Sequence, residues 1–294
     1  MQVDCQACSG QEIDQEGRFL SHPTRRRLDA ELVRRGLSPT RDRARATIAA
    51  GQVLVAGALA AKPARLVSAA EPIEVQGSPP PFVSRGGEKL DAALDRFGIV
   101  VSGVRALDAG SSTGGFVDCL LTRGAAEVVA VDVGRGQLHE RLRRDPRVVV
   151  LERTNVRQLG LDHVGGAPFA LVVADLSFIS LRTVAPVLLG ELAAPDADVV
   201  ALVKPQFEAG RAEASRGKGV VKDPRVWERV LVEICSAFRG AGAAMMEAMV
   251  SPLTGARGNV EFLVHARAHA RTVEAEVGLD LTVVVAEATA LGGR

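Results

Sequence analysis

The chain has 294 residues, 47% of them hydrophobic and 24% charged, with a formal net charge of +1. That length suits one large domain and one small one, and the composition excludes a chain disordered throughout. The apolar runs at 169–174 and 199–203 are far shorter than the roughly 18 residues a spanning helix needs, and MQVDCQACSGQEIDQEG lacks the basic start and apolar stretch of a secretory signal, so a cytoplasmic location is expected.

Residues 1–24 read as a flexible N-terminal extension. Cys5 and Cys8 within it make one C-x-x-C without the second pair of ligands that a structural zinc site requires, so no metal is expected. Charge is concentrated just beyond: between Thr24 and Gly77 ten Arg or Lys stand against five Asp or Glu, while the rest of the chain is close to neutral. A small basic module joined to a neutral body points to a polyanionic partner. In RRRLDAELVRRG (25–36) Leu28, Leu32 and Val33 fall at helical spacing and Gly36 follows as a cap. A second helix is predicted in TRDRARATIAAG, capped by Ser38 or Thr40, with Ala44, Ile48 and Ala49 inward. QVLVAG, AKPARLV and EPIEVQG read as short extended segments.

This order of elements, with R-L-D-x-x-L-V-x-R-G-L at 27–37, Ser38 and Ala44 after it and G-x-V-x-V-x-G at 51–57, resembles the S4 RNA-binding domain. The resemblance implies an RNA-binding unit over 25–77, touching RNA through Arg25, Arg26, Arg27, Arg34, Arg35, Arg41, Arg43 and Arg45, with Arg85 beyond it. Arginine suits phosphate because its planar fork donates two parallel hydrogen bonds. The competing reading of these arginines is a solvated charged face.

Ser78 and the prolines at 79–81 mark a linker, taken as 78–85. From Val104 onward strand-like runs alternate with helical stretches: VRALDAG, a helix from Gly114, EVVAVDV, RVVVLERT, FALVVADLSF, ADVVALVKPQF, a helix across 223–239, AAMMEAMVSP and NVEFLVHAR. Short valine-rich runs bounded by Gly, Asp and Pro mark buried parallel strands. The fold class expected for 86–270 is α/β, a doubly wound Rossmann-like sheet with helices on both faces, behind a small α+β module. Residues 271–294 read as a tail.

In such a sheet ligands bind beyond the carboxyl ends of the strands, so the first strand-to-helix turn, DAGSSTGGF (108–116), is the first candidate. A dinucleotide fingerprint, G-x-G-x-x-G, would have its second Gly where Ser112 stands, and a pyrophosphate would meet a side chain. S-adenosylmethionine, which has no phosphate, suits the turn better. Gly110 and Gly114 would let the backbone approach its methionine portion and Asp108 would lie near its ammonium, with Ser111, Ser112, Thr113, Gly115 and Phe116 completing the turn. Asp132 stands where an acidic residue accepts hydrogen bonds from ribose hydroxyls, and Thr154, Asn155 and Asp175 follow the third and fourth strands.

Only five of the 36 basic residues are lysines: Lys62, Lys89, Lys204, Lys218 and Lys222. Lysine is a compact charge responsive to its surroundings, whereas arginine is flat and always charged. A lysine ending a buried strand, as Lys204 does, is therefore a functional candidate, and Lys89 in SRGGEKL is another. SRGGEKL, DAGSSTGGF, ADLSF, LVKPQFE and GNVEFL resemble 2′-O-methyltransferases of the FtsJ type, and from Arg25 to His265 the chain is similar to the TlyA family, also known as haemolysins, which joins an S4 domain to such an enzyme.

The resemblance implies methyl transfer from S-adenosylmethionine to the 2′-hydroxyl of a ribose, with cytidine as the nucleoside, in 16S or 23S ribosomal RNA. It makes Lys89, Asp175, Lys204 and Glu261 the catalytic set. Lys204 would contact the 2′-oxygen, as base or as positioning group, with Asp175 and Glu261 orienting it and Lys89 holding the ribose or a phosphate. With no Tyr, one Trp and nine Phe, shape and phosphate contacts should outweigh stacked bases. Residues 208–220 read equally as a mobile substrate loop or an ordinary connection. Two rival functions are a ribosome-binding assembly factor that uses only the S4-like module, and a membrane-active haemolysin, which the lack of a spanning run or of a strongly amphipathic basic helix disfavours.

Overall fold

The structure, a computed structural model, describes residues 25–77, 81–210, 213, 217, 219–269 and 279–292. The extension 1–24 with Cys5 and Cys8, the start of the expected linker, much of 211–218 with Lys218, and the first part of the expected tail lie outside the described residues. The chain divides into two compact units, parting between Pro79 and Pro80.

In the first unit strand β1 (Arg26–Arg27) runs into helix α1 (Leu28–Arg34), followed by α2 (Arg41–Ala49), β2 (Val53–Val55), β3 (Ala58–Leu59), β4 (Leu66–Val67) and β5 (Ile73–Val75). β1 pairs antiparallel with β4, and β2 lies between β3 and β5. The Thr40 hydroxyl accepts the Arg43 amide at 3.2 Å and so caps α2. Leu28, Leu32, Ala44, Ile48, Val53 and Val55 form the core, with Val33 packed on it. Ala49, expected inward, is exposed: a helix turns about 100° per residue, and Ile48 already takes the inward position.

The second unit contains α3 (Arg85–Arg96), β6 (Arg105–Ala109), α4 (Gly115–Thr122), β7 (Glu127–Val131), α5 (Glu140–Arg143), β8 (Val148–Leu151), β9 (Phe169–Ala174), α6 (Leu181–Pro186), β10 (Ala193–Val203), α7 (Pro205–Glu208), α8 (Pro224–Gly240), β11 (Ala243–Val250), β12 (Phe262–Ala268) and α9 (Leu281–Gly292). Its sheet has the order β11-β12-β10-β9-β6-β7-β8. β6 to β10 pair in parallel, while β12 runs antiparallel between β10 and β11. Parallel pairing needs a crossover, and the short connection from Val250 to Phe262 allows only the antiparallel return.

Alternation along the strands feeds two apolar layers. Leu107, Ala109, Val172 and Ala174 face the layer holding α6 and α8, and Ala106, Leu171 and Val173 face the one holding α3 and α4. Phe82 and Val83 are buried in the second layer and Arg85 opens α3, so 82–85 belong to this unit rather than to the linker. Val284, Val285 and Ala288 bring α9 into the first layer, so residues 281–292 are a packed helix rather than a tail. Among the described residues no helix is long and apolar enough to cross a membrane.

Candidate active site

The chain winds outward from β6 through β7 to β8, then returns to β9 on the other side, so the winding reverses between β6 and β9. Their carboxyl ends touch at Gly110, whose φ is +92° and where a Cβ would lie 2.5 Å from the Asp175 backbone oxygen. Glycine alone fits there. The Gly110 and Ser111 amides donate to the Val131 oxygen at 2.8 and 3.0 Å. Ser112, at φ +45°, directs its amide to Asp132 Oδ2 at 2.8 Å, and the Gly134 amide donates to Oδ1 at 2.6 Å. Each oxygen retains a second lone pair.

Asp132 stands in the wall of a cavity of about 400 Å³, with Gly110, Ser112, Thr154, Asn155 and Asp175, and with Val131, Val133, Gln137, Val156 and residues 176–179, which sequence reasoning missed. A cleft of about 110 Å³ adjoins it, sharing Gly110, Ser112 and Asp175 and lined further by Ser84, Gly86, Lys89, Ser111, Thr113, Gly115 and Phe116. Two expected cofactor residues line neither space. Asp108 points with Ala106 into the layer under α4 and is fully buried; burial, then Asp175 and Asp132, pushes its carboxyl well above the usual range. Gly114 makes room for Leu138 and Leu142, not for a ligand. Among the missed residues, Phe178 is 90% exposed at φ +65°, its ring 4.9 Å from that of Phe207. An exposed aromatic in ADLSF was its only sequence signal.

The four expected catalytic residues form two ion pairs, Lys204 with Asp175 and Lys89 with Glu261. Lys204 also donates to Ser177 Oγ at 3.1 Å. The ladder pairs Val203 with Phe262, so Lys204 and Glu261 stand at neighbouring strand ends. Glu261 nevertheless binds Lys89 rather than orienting Lys204 as expected, because Lys89 reaches it from α3. Gly255 leaves it room, since a Cβ there would collide with the carboxylate. Lys89 and Asp175 both line the cleft. Lys62 and Lys222 are exposed. The two lysines singled out by sequence are thus less exposed than Lys62 and Lys222, Lys89 being buried and Lys204 half-buried, and each is paired with a carboxylate at the sheet's ligand-binding edge.

In the first unit two buried acids gather the arginines. Asp29 accepts from Arg27 at 3.1 and 3.0 Å, from Arg41 at 3.3 and 3.2 Å and from Arg45 at 3.3 Å. Glu31 accepts from Arg34 at 2.7 and 2.6 Å and from Arg35 at 2.8 Å. The Arg27 guanidinium first, then Arg41 and Arg45, hold the Asp29 carboxyl far below its usual range; Arg34, then Arg35, bring Glu31 down to about 2. Arg35 also donates to the Glu71, Ser68 and Ala69 carbonyls at 2.8, 3.1 and 3.0 Å. Arg25 pairs with Glu71 at 3.0 Å, Arg26 is exposed, Arg43 is half-buried, and in the second unit Arg85 donates to the Thr254 carbonyl at 2.7 Å.

Comparison with known proteins agrees with this geometry. The model of the FtsJ-like methyltransferase family matches residues 82–268, and that of the S4 domain residues 26–73. The chain is 50% identical, over 87% of its length and 95% of the relative's, to the 16S/23S rRNA (cytidine-2′-O)-methyltransferase TlyA of Mycobacterium tuberculosis. It is 39% identical to Hemolysin A of Brachyspira hyodysenteriae, over 81% of this chain and 98% of that one. The solved structure of a hemolysin-named protein from Streptococcus thermophilus superposes with a TM-score of 0.72 at 35% identity, covering 91% and 96% of the two chains.

Proposed function

This chain belongs to the FtsJ-like methyltransferases that carry an S4 domain, the TlyA family, and from that premise we propose that it methylates the 2′-hydroxyl of a cytidine ribose in ribosomal RNA, using S-adenosylmethionine. The observation that carries the reading is the two ion pairs, the half-buried Lys204 with Asp175 and the buried Lys89 with Glu261, beside a cavity opened by Gly110.

The cavity fits the donor. Its volume is that of a small-molecule site, Gly110 leaves a cradle that a Cβ would fill, and the spare lone pairs of Asp132 suit ribose hydroxyls. When bound, S-adenosylmethionine supplies a sulfonium-activated methyl group. Val131, Val156, Leu176 and Ile179 give apolar walls that exclude water, and Thr154 and Asn155 add polar groups. An unactivated hydroxyl is a weak nucleophile, so the protein's work is alignment and stabilisation of the charge that develops on oxygen. Lys204 serves that purpose: Asp175 and Ser177, both in the cavity wall, hold its Nζ, which donates a hydrogen bond to the 2′-oxygen while the hydroxyl proton passes to solvent as the oxygen–methyl bond forms. Lys89, in the adjoining cleft and held by Glu261, steadies the ribose or its phosphate. The half-exposed arginines gathered on Asp29 and Glu31, Arg27, Arg34, Arg41 and Arg45, bind the RNA backbone.

Lys204→Ala tests the assignment. Methyl transfer to ribosomal subunits should fall by about three orders of magnitude, with S-adenosylmethionine binding within about threefold of wild type. Undiminished transfer by this variant would refute it.

A further inference from the structure

One buried carboxylate near the site has no part in the chemistry above. Glu208 ends α7, four residues beyond Lys204, and is 4% exposed. Its Oε1 accepts the Leu181 amide at 2.7 Å and its Oε2 accepts the Ser180 hydroxyl, while the Arg182 guanidinium donates to its backbone oxygen at 2.9 Å. These bonds end a series that joins the segments following β9 and β10. Asp175 and Ser177 bind Lys204, Phe178 packs on Phe207, and Ser180 and Leu181 bind Glu208.

Between the anchors at Lys204 and Glu208 lie Leu176, Ser177, Phe178 and Ile179, one wall of the larger cavity. Leu176 and Ile179 pack against the apolar layer, but Phe178 between them does not. Phe178 is almost wholly exposed and has a positive φ, which costs a non-glycine residue of order 1 kcal/mol or more. A strained, outward-facing residue persists only where the segment around it is fixed, and Glu208 fixes the end that the catalytic lysine does not.

We propose that Glu208 is a positioning residue: by clamping Ser180 and Leu181 it sets the wall 176–179, and through that wall both the affinity for S-adenosylmethionine and the placement of Lys204. The inference rests on the reading that this cavity takes S-adenosylmethionine. Burial pushes the Glu208 carboxyl above its usual range, and its bonds to Ser180 and Leu181 offset this only in part.

Glu208→Ala and Glu208→Gln in the full chain separate these contributions. Glutamine offers an oxygen to the Leu181 amide and so keeps that half of the clamp without the charge, while its amide must compete with Arg182, whose backbone amide and Nε already donate to Ser180 Oγ. Calorimetry should give an S-adenosylmethionine Kd about tenfold weaker in the alanine variant, with kcat lowered similarly, and within about threefold of wild type in the glutamine variant. A merely structural residue would lower the thermal midpoint and leave the Kd of the folded protein unchanged. Should the alanine variant fail to fold, Ser180→Ala, which removes one clamp bond, is expected to weaken binding by about threefold. Wild-type Kd and kcat in the alanine variant, or in Ser180→Ala where that stands in, overturns the inference, as does equal loss in the alanine and glutamine variants. A wild-type chain that binds no S-adenosylmethionine overturns the cofactor reading, and this inference with it.

Discussion

The two units place charge in opposite ways. In the first the acid at the centre of an arginine cluster is buried and its cations wet: Asp29 is fully buried, while the side chains of Arg27, Arg41 and Arg45 around it are 45%, 50% and 49% exposed. At the second unit's site the cations are withdrawn from the surface as well, Lys89 at 9% exposed and Lys204 at 12%. A half-exposed guanidinium keeps donors facing water, where a phosphate chain can take them up. A buried ammonium acts on a single atom in a dry site, where its field is strongest. Charge meant for a polymer stays at the surface, and charge meant for one reacting oxygen is withdrawn from it.

Removing one cation from each unit probes this contrast with the largest expected effect. Lys89→Met leaves the Glu261 carboxylate, 3% exposed, without its partner and should destabilise the second unit by about 3 kcal/mol. Arg45→Ala leaves Asp29 with Arg27 and Arg41 and should cost less than about 1 kcal/mol. Urea unfolding of the full chain measures both, and equal losses would break the contrast. At the cavity, Gly110→Ala should weaken S-adenosylmethionine binding by more than about tenfold, from strain and the clash with Asp175. Gly136→Ala, strained at φ +68° but with nothing near its Cβ, is the control, expected within about threefold.

Within the first unit the arginines should divide. Arg41→Ala removes a half-exposed guanidinium and should lower the slope of log affinity for rRNA against log salt by about one unit. Arg35, 20% exposed and spent on Glu31 and three carbonyls, should change stability and leave the slope alone; a slope that falls equally for both would merge the two classes. The smallest effect concerns acid. Glu31 titrates near 2 when folded instead of its ordinary 4.5, so its contribution is complete above about pH 4.5 and is lost as the pH falls toward 2. Glu31→Gln should therefore be less stable than wild type at neutral pH and converge with it near pH 2, as followed by circular dichroism. A constant gap would contradict the pairing.

Much of this was legible in the sequence because strand ends and turns are local. The valine runs gave the parallel strands, Gly110 and Asp132 marked the turn and its acidic neighbour, and the scarcity of lysine singled out Lys89 and Lys204. What was hidden depends on partners distant in the chain. Nothing near Glu261 indicates that it binds Lys89 across 172 positions, and the alternation that turns Asp108 inward is visible only once β6 is placed. Nothing in the helix pattern around Asp29 and Glu31 marks them as buried, since packing alone places them there. Glu208 looked like the start of a loop because its partners, Ser180 and Leu181, belong to another strand's end.

The most direct test is methyl transfer to ribosomal subunits lacking the modification, with labelled S-adenosylmethionine and mass-spectrometric mapping of the product. Wild-type protein should yield 2′-O-methylcytidine at discrete rRNA positions, and Lys204→Ala should yield none while still binding the donor. Label on a base, or donor binding without any transfer to either subunit, would contradict the role given to the lysine–carboxylate pairs.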